Sequence, residues 1–379
     1  MGFRVRKKIL LIYLFTLLIV LFFIMTISDL NSVSVLYSTS KGQLYIFDEI
    51  DPRGQISNYI KIGKVNPNNS GRSSLDRMKE HQGANPRLLQ ERYVLSTLAD
   101  ISKLESTLHN SFSTKRVRDE WFITDGGNID LFVEKAKEIN TSLEEQIPLI
   151  LSSNELDSKE DNGEEKKSCS ESEDFHNLLK QEDQILNDLK QSKNLIDYQL
   201  RHLGGDVLTG IDGISSFKFT ASSSRFDDKR FIKENEDLAL KIGNYKISGT
   251  FSLRKMPKNI KNNELEILKD SYETKRKLSK SFHIMERNEA SEALHLDWLE
   301  IHRKIQPHEI QKKYLLLKLK LLTGEFSGIE NICSWKRKKK LKVSKADVES
   351  HNTDLASNYL VKSQPVLKFN LNDFRPYNF

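Results

Sequence analysis

From Ile9 to Ile27 the chain reads ILLIYLFTLLIVLFFIMTI, without one charged side chain. As a helix rising 1.5 Å per residue, that run covers roughly 28 Å, close to the hydrocarbon thickness of a bilayer. A cleaved secretory signal is the competing reading. Its apolar core is usually shorter, about 7–15 residues, and ends in small residues, and no Ala-x-Ala pattern follows here. The run therefore predicts a single-pass anchor at 9–27 that holds the chain to a membrane. Arg4, Arg6, Lys7 and Lys8 in segment 1–8 place the N-terminus in the cytosol by the positive-inside rule. The compartment stays open between the secretory pathway, the nuclear envelope and, less well supported, mitochondria. Sequons at Asn68 and Asn140 would report lumenal exposure if glycosylated.

Beyond the anchor the chain is polar. Of 379 residues, 37% are hydrophobic and 30% charged, too polar a balance for one compact globule filling the whole length. Charge is unevenly spread. Residues 141–240 hold 12 Lys and Arg against 22 Asp and Glu, and residues 241–345 hold 25 against 12. An acidic middle followed by a basic region favours an anionic partner for the last third. Cys169 and Cys333 stand far apart, which excludes a disulfide framework and a cysteine-based zinc site.

Periodicity divides the rest. Within 41–140, strands are expected at 43–50, 57–65 and 87–96, with Asp51-Pro52-Arg53-Gly54 as the first turn. Helices are expected at 73–81, after Asp100, and at about 127–140, with 117–125 extended between the last two. This order predicts one compact α/β domain. Residues 150–174 are too polar to bury a core and read as an acidic disordered linker. Residues 175–205 form an amphipathic helix whose stripe packs inside this chain or, as a coiled coil, against a protein partner through 175–203. Residues 206–345 read as strands to about 254, with a hairpin around Gly243-Asn244. Helices follow to about Ile305, from Pro307 to Thr323, and from about Gly328 to Lys340. The C-terminal half is thus expected to be mostly helical, with 346–379 as a tail.

The segment from Gln43 to Phe122 carries the specific signal. LYIF (44–47), YIKIGKV (59–65), LDRMKEH (75–81), ISKLESTLHNSF (101–112) and DEWF (119–122) resemble, in order and spacing, the GIY-YIG endonuclease superfamily. The similarity is strongest to its small branch of DNA-binding domains named after open reading frame one-seven-two of phage T-five, with fungal meiotically up-regulated relatives. The resemblance implies a three-stranded, mainly antiparallel sheet flanked by helices. It implies that Tyr45, Lys61 and Arg77 are catalytic, with Lys61 where the nucleases have their second tyrosine. It also implies that Glu105 holds a single magnesium or manganese ion for phosphodiester hydrolysis. The asparagine that closes the nuclease motif has no counterpart near Glu120. DNA is then the partner, and no small-molecule substrate is implied.

The residue types suit that chemistry. Arginine offers paired donors to phosphoryl oxygens, and a carboxylate binds a hard divalent ion that keeps several waters. A tyrosine hydroxyl can align the attacking water. Gly63 lets the backbone approach closely. Tyr59 and His81 are read as nucleic-acid contacts, although strand tyrosines also serve packing and His81 also suits a helix C-terminus. Glu105 and His109, four apart, can share one ion or form an ordinary exposed pair. Trp121 and Phe122 read as core.

A second basic signal is WKRKKKLKVSK at 335–345. Lys336, Arg337, Lys338, Lys339 and Lys340 are read as phosphate contacts, on the last of two helices resembling a helix-turn-helix; a nuclear import signal, an anionic-lipid patch and a solvated charge run are the alternatives. Two functions follow as expectations: a membrane-anchored DNA-binding protein capable of metal-dependent cleavage, or a non-catalytic membrane scaffold on a degenerate nuclease fold.

Overall fold

The computed structural model describes residues 41–67, 72–83, 85–205, 207–258, 260, 262–278 and 281–377. The expected anchor at 9–27 and the sequon at Asn68 lie outside them. No described helix is long and apolar enough to cross a membrane. The described chain is mixed α/β.

Its first part alternates strands and helices: β1 (Gly42–Ile50), β2 (Ile56–Val65), α1 (Ser74–Gln82), β3 (Leu88–Thr97), α2 (Ile101–Ser111), β4 (Arg116–Arg118), β5 (Trp121–Ile123) and α3 (Asp130–Glu144). The sheet is antiparallel, in the order β3-β1-β2-β5-β4. It has five strands rather than three, because the extended 117–125 segment folds back at Asp119 and pairs with β2. Asp51 closes the first hairpin by accepting from the Arg53 and Gln55 amides, both at 2.8 Å. Ser73 and Asp76 form a capping box on α1, and Asp100 caps α2 through the Ser102 and Lys103 amides.

Strand periodicity gives the sheet two different faces. Leu44, Ile46, Ile60 and Ile62 are buried under Leu104 and Leu108 of α2 and Phe132, Ala136 and Ile139 of α3. Each such aliphatic side chain contributes about 1.5–3 kcal/mol on full burial. On the opposite face Tyr45 and Phe47 stack at 4.2 Å and pack with Val65, Met78 of α1 and Val94. That second, smaller layer leaves room beside α1. The closing helix runs to Glu144 rather than 140, and Asn140 is buried in it, so this sequon cannot carry a glycan on the folded protein.

The acidic linker is corrected. Residues 150–174 contain most of α4 (Ile147–Asp157), then β6 (Glu165–Lys166) and the start of α5 (Ser170–His202). They dock because their carboxylates accept from a strand that composition alone does not reveal. Glu160 Oε1 accepts from the Lys339 amide at 2.8 Å, and Asp161 Oδ2 from the Arg337 amide at 2.5 Å.

Next come β7 (Thr209–Ile211), β8 (Ser215–Phe219), β9 (Ser223–Phe226), α6 (Asp228–Glu234), α7 (Glu236–Ile242) and β10 (Asn244–Leu253). They are followed by α8 (Asn263–Leu278), β11 (His283–Met285), α9 (Glu289–Thr323), β12 (Gly328–Ile329) and β13 (Cys333–Lys342). The chain closes with α10 (Lys345–His351), α11 (Thr353–Ser357), β14 (Leu360–Ser363) and β15 (Leu367–Leu371). The expectation of a mostly helical C-terminal half fails here, for strands and helices alternate to the end. Gly243 caps α7 instead of turning a hairpin. One helix, α9, continues through Pro307. A proline costs a helix interior about 3 kcal/mol, and buried Trp298, Leu299, Ile305, Ile310 and Leu315 hold both sides of it.

Helix α5 packs along α9. Leu179 joins Leu315 and Leu319 in one core, flanked by a His308–Glu182 hydrogen bond at 2.8 Å and a Lys190–Glu309 ion pair at 2.9 Å. Of the two alternatives for the stripe, packing inside this chain is seen at Leu179, Leu186 and Leu200, while Leu178, Ile185 and Leu203 stay exposed. The tail also returns: Asp373 pairs with Arg116 at 2.7 Å, and His295 Nε2 bonds Asn372 O at 2.7 Å.

Candidate phosphate-binding site at the open edge of the sheet

Strand β5 pairs with β2 only over Tyr59–Lys61. One further bond, from the Ile62 amide to Glu120 O at 2.9 Å, ends that ladder. The Ile62 carbonyl is taken by a side chain: His109 Nε2 lies 3.0 Å from it. Past this point the β2 edge opens into a cavity of about 330 Å³ lined by Lys64, Asn66, Arg72, Arg77, Glu105 and Glu120. Helix α1 brings Arg77 from one face of the sheet, and α2 brings Glu105 from the other.

Four residues separated in sequence meet around this edge. Lys61, almost fully buried, bonds Glu120 through Nζ at 2.5 Å. Lys64 Nζ bonds Glu105 at 2.8 Å and Ser102 Oγ at 3.0 Å. Arg77 bonds Glu80 at 2.8 Å, and Arg72 bonds the same carboxylate. Tyr45 is fully buried beside the Arg77 guanidinium. Its hydroxyl and Arg77 Nε form no well-directed hydrogen bond among the described residues. Gly63 pairs with Tyr45 across the hairpin, and a Cβ there would overlap the tyrosine hydroxyl.

Burial raises the Tyr45 phenol above its usual range against the opposing pull of Arg77, so it stays protonated. Burial also raises the Glu105 carboxyl, with Lys64 pulling the other way. Burial works likewise on Glu120, but the Lys61 hydrogen bond and charge outweigh it and hold that carboxyl low. His81, one turn after Arg77 on α1, is pushed down by burial and by the Lys61 and Arg77 charges. Its Nε2 is buried with no partner among the described residues. A neutral imidazole with an unused ring nitrogen therefore sits beside a cavity of three cations and two carboxylates.

Several expectations are redirected. His109 does not join Glu105 at an ion: burial and Arg116 lower its pKa to about 4, and it replaces a missing strand partner for Ile62. Phe122 is core, whereas Trp121 is half-exposed and lines a neighbouring groove with Tyr59. Lys64, Arg72, Asn66 and Glu120 belong to the site but carried no assigned role. Lys64 follows directly on Lys61-Ile62-Gly63, and Glu120 lies inside the closing DEWF block, so both were within reach of motif reading. Arg72 lay in a loop with no periodicity to mark it.

The basic run is not on a helix. Residues 333–342 form β13, antiparallel to β10 along its whole length. Alternation decides each side chain's place. Cys333, Trp335 and Arg337 are buried, and Lys336, Lys338 and Lys340 point to solvent with Lys342 and, across the ladder, Lys246. Arg337 is thus a core residue. It donates to Leu156 O at 3.0 Å and Gly324 O at 2.9 Å, and its guanidinium lies 3.9 Å from the Trp335 ring centroid. Lys339 leans over Tyr245 at 5.3 Å. No carboxylate lies within ion-pair distance of Lys336, Lys338 or Lys340 among the described residues.

Among the described residues no group of three or more His, Cys, Asp and Glu is arranged to hold a metal ion. Glu105 and Glu120 nevertheless line one cavity, and magnesium or manganese commonly uses one or two carboxylates together with waters and phosphate oxygens. Each is held by a lysine, Glu105 by Lys64 and Glu120 by Lys61, so an ion would have to displace the lysine from any carboxylate it used. No family model, no curated protein and no solved structure matches the chain.

Proposed function

We propose that residues 41–140 form a GIY-YIG-type domain that binds DNA through its phosphates, carried by a chain anchored to a membrane through residues 9–27. One observation carries the reading. Of Tyr45, Lys61, Arg77 and Glu105, which the family resemblance groups and which lie on four separate elements, Arg77 and Glu105 line one cavity, while Tyr45 lies beside Arg77 and Lys61 bonds the lining residue Glu120.

In this reading Arg77, Arg72 and Lys64 donate to the non-bridging oxygens of a phosphodiester. Tyr45, held protonated, orients rather than abstracts. His81, kept uncharged by burial and by the Lys61 and Arg77 charges, adds no further cation beside them. Glu105 would hold Mg2+ or Mn2+, which would supply Lewis-acid polarisation of the phosphoryl group. The solvent-facing lysines of β13 add a second phosphate path. Binding without cleavage is favoured by a separate observation: both cavity carboxylates are already neutralised by lysines.

The test uses the full chain in detergent micelles on supercoiled and branched DNA, with and without magnesium or manganese. Nicking lost in both Arg77→Ala and Glu105→Gln establishes a nuclease. Retardation without nicking, lost in Arg77→Ala, establishes a binding module. Neither effect overturns the DNA reading and leaves a membrane scaffold.

A further inference from the structure

Lys61 lies between two unlike cavities where β2 meets β5. Beyond it, away from the cationic cavity, lies a space of about 480 Å³ lined by Glu49, Tyr59, Val117, Arg118, Asp119 and Trp121. The two spaces adjoin through consecutive residues, since Glu120 lines the first and Asp119 and Trp121 line the second. Lys61 touches both sides: it bonds Glu120 at 2.5 Å, and its Nζ lies 5.8 Å from the Trp121 ring centroid.

Strand register puts the two rings on one wall. Lys61 pairs with Trp121 and Tyr59 with Ile123, so Tyr59, Lys61 and Trp121 project from the same face, with the rings as diagonal neighbours. Both rings are half-exposed, and buried Val117 forms the floor. Asp119, which turns β4 into β5, holds a left-handed φ of 43°, a strained conformation for a non-glycine residue. Glu49 is fixed by Asn85 and Arg87.

The chemistry of this second space differs from that of the first. Arg87 pairs with Glu49 and Arg118 with Asp119, so this space carries no surplus positive charge to draw a phosphate. Aromatic faces and carboxylate acceptors instead suit a flat ring bearing amino groups. We infer that it receives an unpaired nucleobase, that of the nucleotide beside the phosphate in the cationic cavity. The inference rests on the DNA reading of the preceding subsection and names its substrate class: single-stranded or locally unpaired DNA. A base within a continuous duplex has no free face to offer.

Fluorescence anisotropy on the full chain in micelles tests this with three probes of equal length: a single-stranded oligonucleotide, its duplex, and a single strand whose nucleotides all lack bases. The single strand should bind more tightly than the duplex, and loss of the bases should weaken binding at least about fivefold. Trp121→Ala should abolish that preference for bases, and Trp121→Phe should keep it, which separates stacking from a folding defect. Equal binding of all three probes, with Arg77→Ala still abolishing it, overturns the base pocket and leaves the phosphate reading standing. No binding of any probe overturns both.

Discussion

Gly63 and Tyr45 face each other across the β1–β2 hairpin, and the tyrosine hydroxyl occupies the space where a side chain at 63 would begin. The close approach sets the depth at which the hydroxyl meets Arg77. Gly63→Ala is therefore expected to destabilise the domain by about 1–3 kcal/mol through overpacking. Adding Tyr45→Phe should recover part of that loss. Thermal unfolding of the single and double variants measures it, and an unchanged melting temperature in Gly63→Ala would refute the contact.

Neighbouring residues of the basic strand should behave oppositely. Arg337→Leu leaves buried carbonyls without a donor and should cost on the order of 3 kcal/mol. Replacing Lys336, Lys338 and Lys340 together by Ala should leave stability within roughly 0.5 kcal/mol for each position. It should also lower the salt dependence of DNA binding by about two phosphate contacts. Denaturant titration and a salt series on the same proteins separate the two effects; a salt slope unchanged by the triple variant removes the strand from the interface.

Acid should unfold the protein through buried histidines. His109 and His302 both have folded pKa values lowered to about 4. Burial is the main cause, with Arg116 adding to it at His109 and Lys193 at His302. In the unfolded chain each titrates near 6.5, so between about 6.5 and 4 the unfolded state binds more protons. Their contribution is complete above about pH 6.5 and is lost as pH falls towards 4, on the order of 3 kcal/mol for each. His109→Gln should flatten this part of the stability–pH curve, and a curve identical to the parent's would count against it.

The Lys64 ammonium occupies the carboxylate that a divalent ion would use. Lys64→Met is expected to raise Mn2+ affinity severalfold, and Glu105→Gln in the same background should remove the gain. Electron paramagnetic resonance of free Mn2+ reads both without DNA. Affinity unchanged by Lys64→Met would exclude Glu105 as the ligand.

Local order was legible in the residues themselves wherever one periodicity dominated. The β1–β2 hairpin and the helices at 73–81 and after Asp100 follow from alternation, turn chemistry and capping rules acting over a few residues. The order of the blocks also pointed to Tyr45, Lys61, Arg77 and Glu105 as one group. Long-range pairing decided the rest. A run of lysines has no apolar stripe to tell helix from strand, so only β10, far earlier in the chain, makes 333–342 a strand and sends Arg337 inward while Lys338 faces water. The acidic segment has nothing to bury, yet the amide edge of that strand orders it. His109 left its neighbour on the helix for a carbonyl that β5 is too short to reach. In each case the deciding partner was a backbone group or strand distant in sequence, which is why only the tertiary structure could supply it.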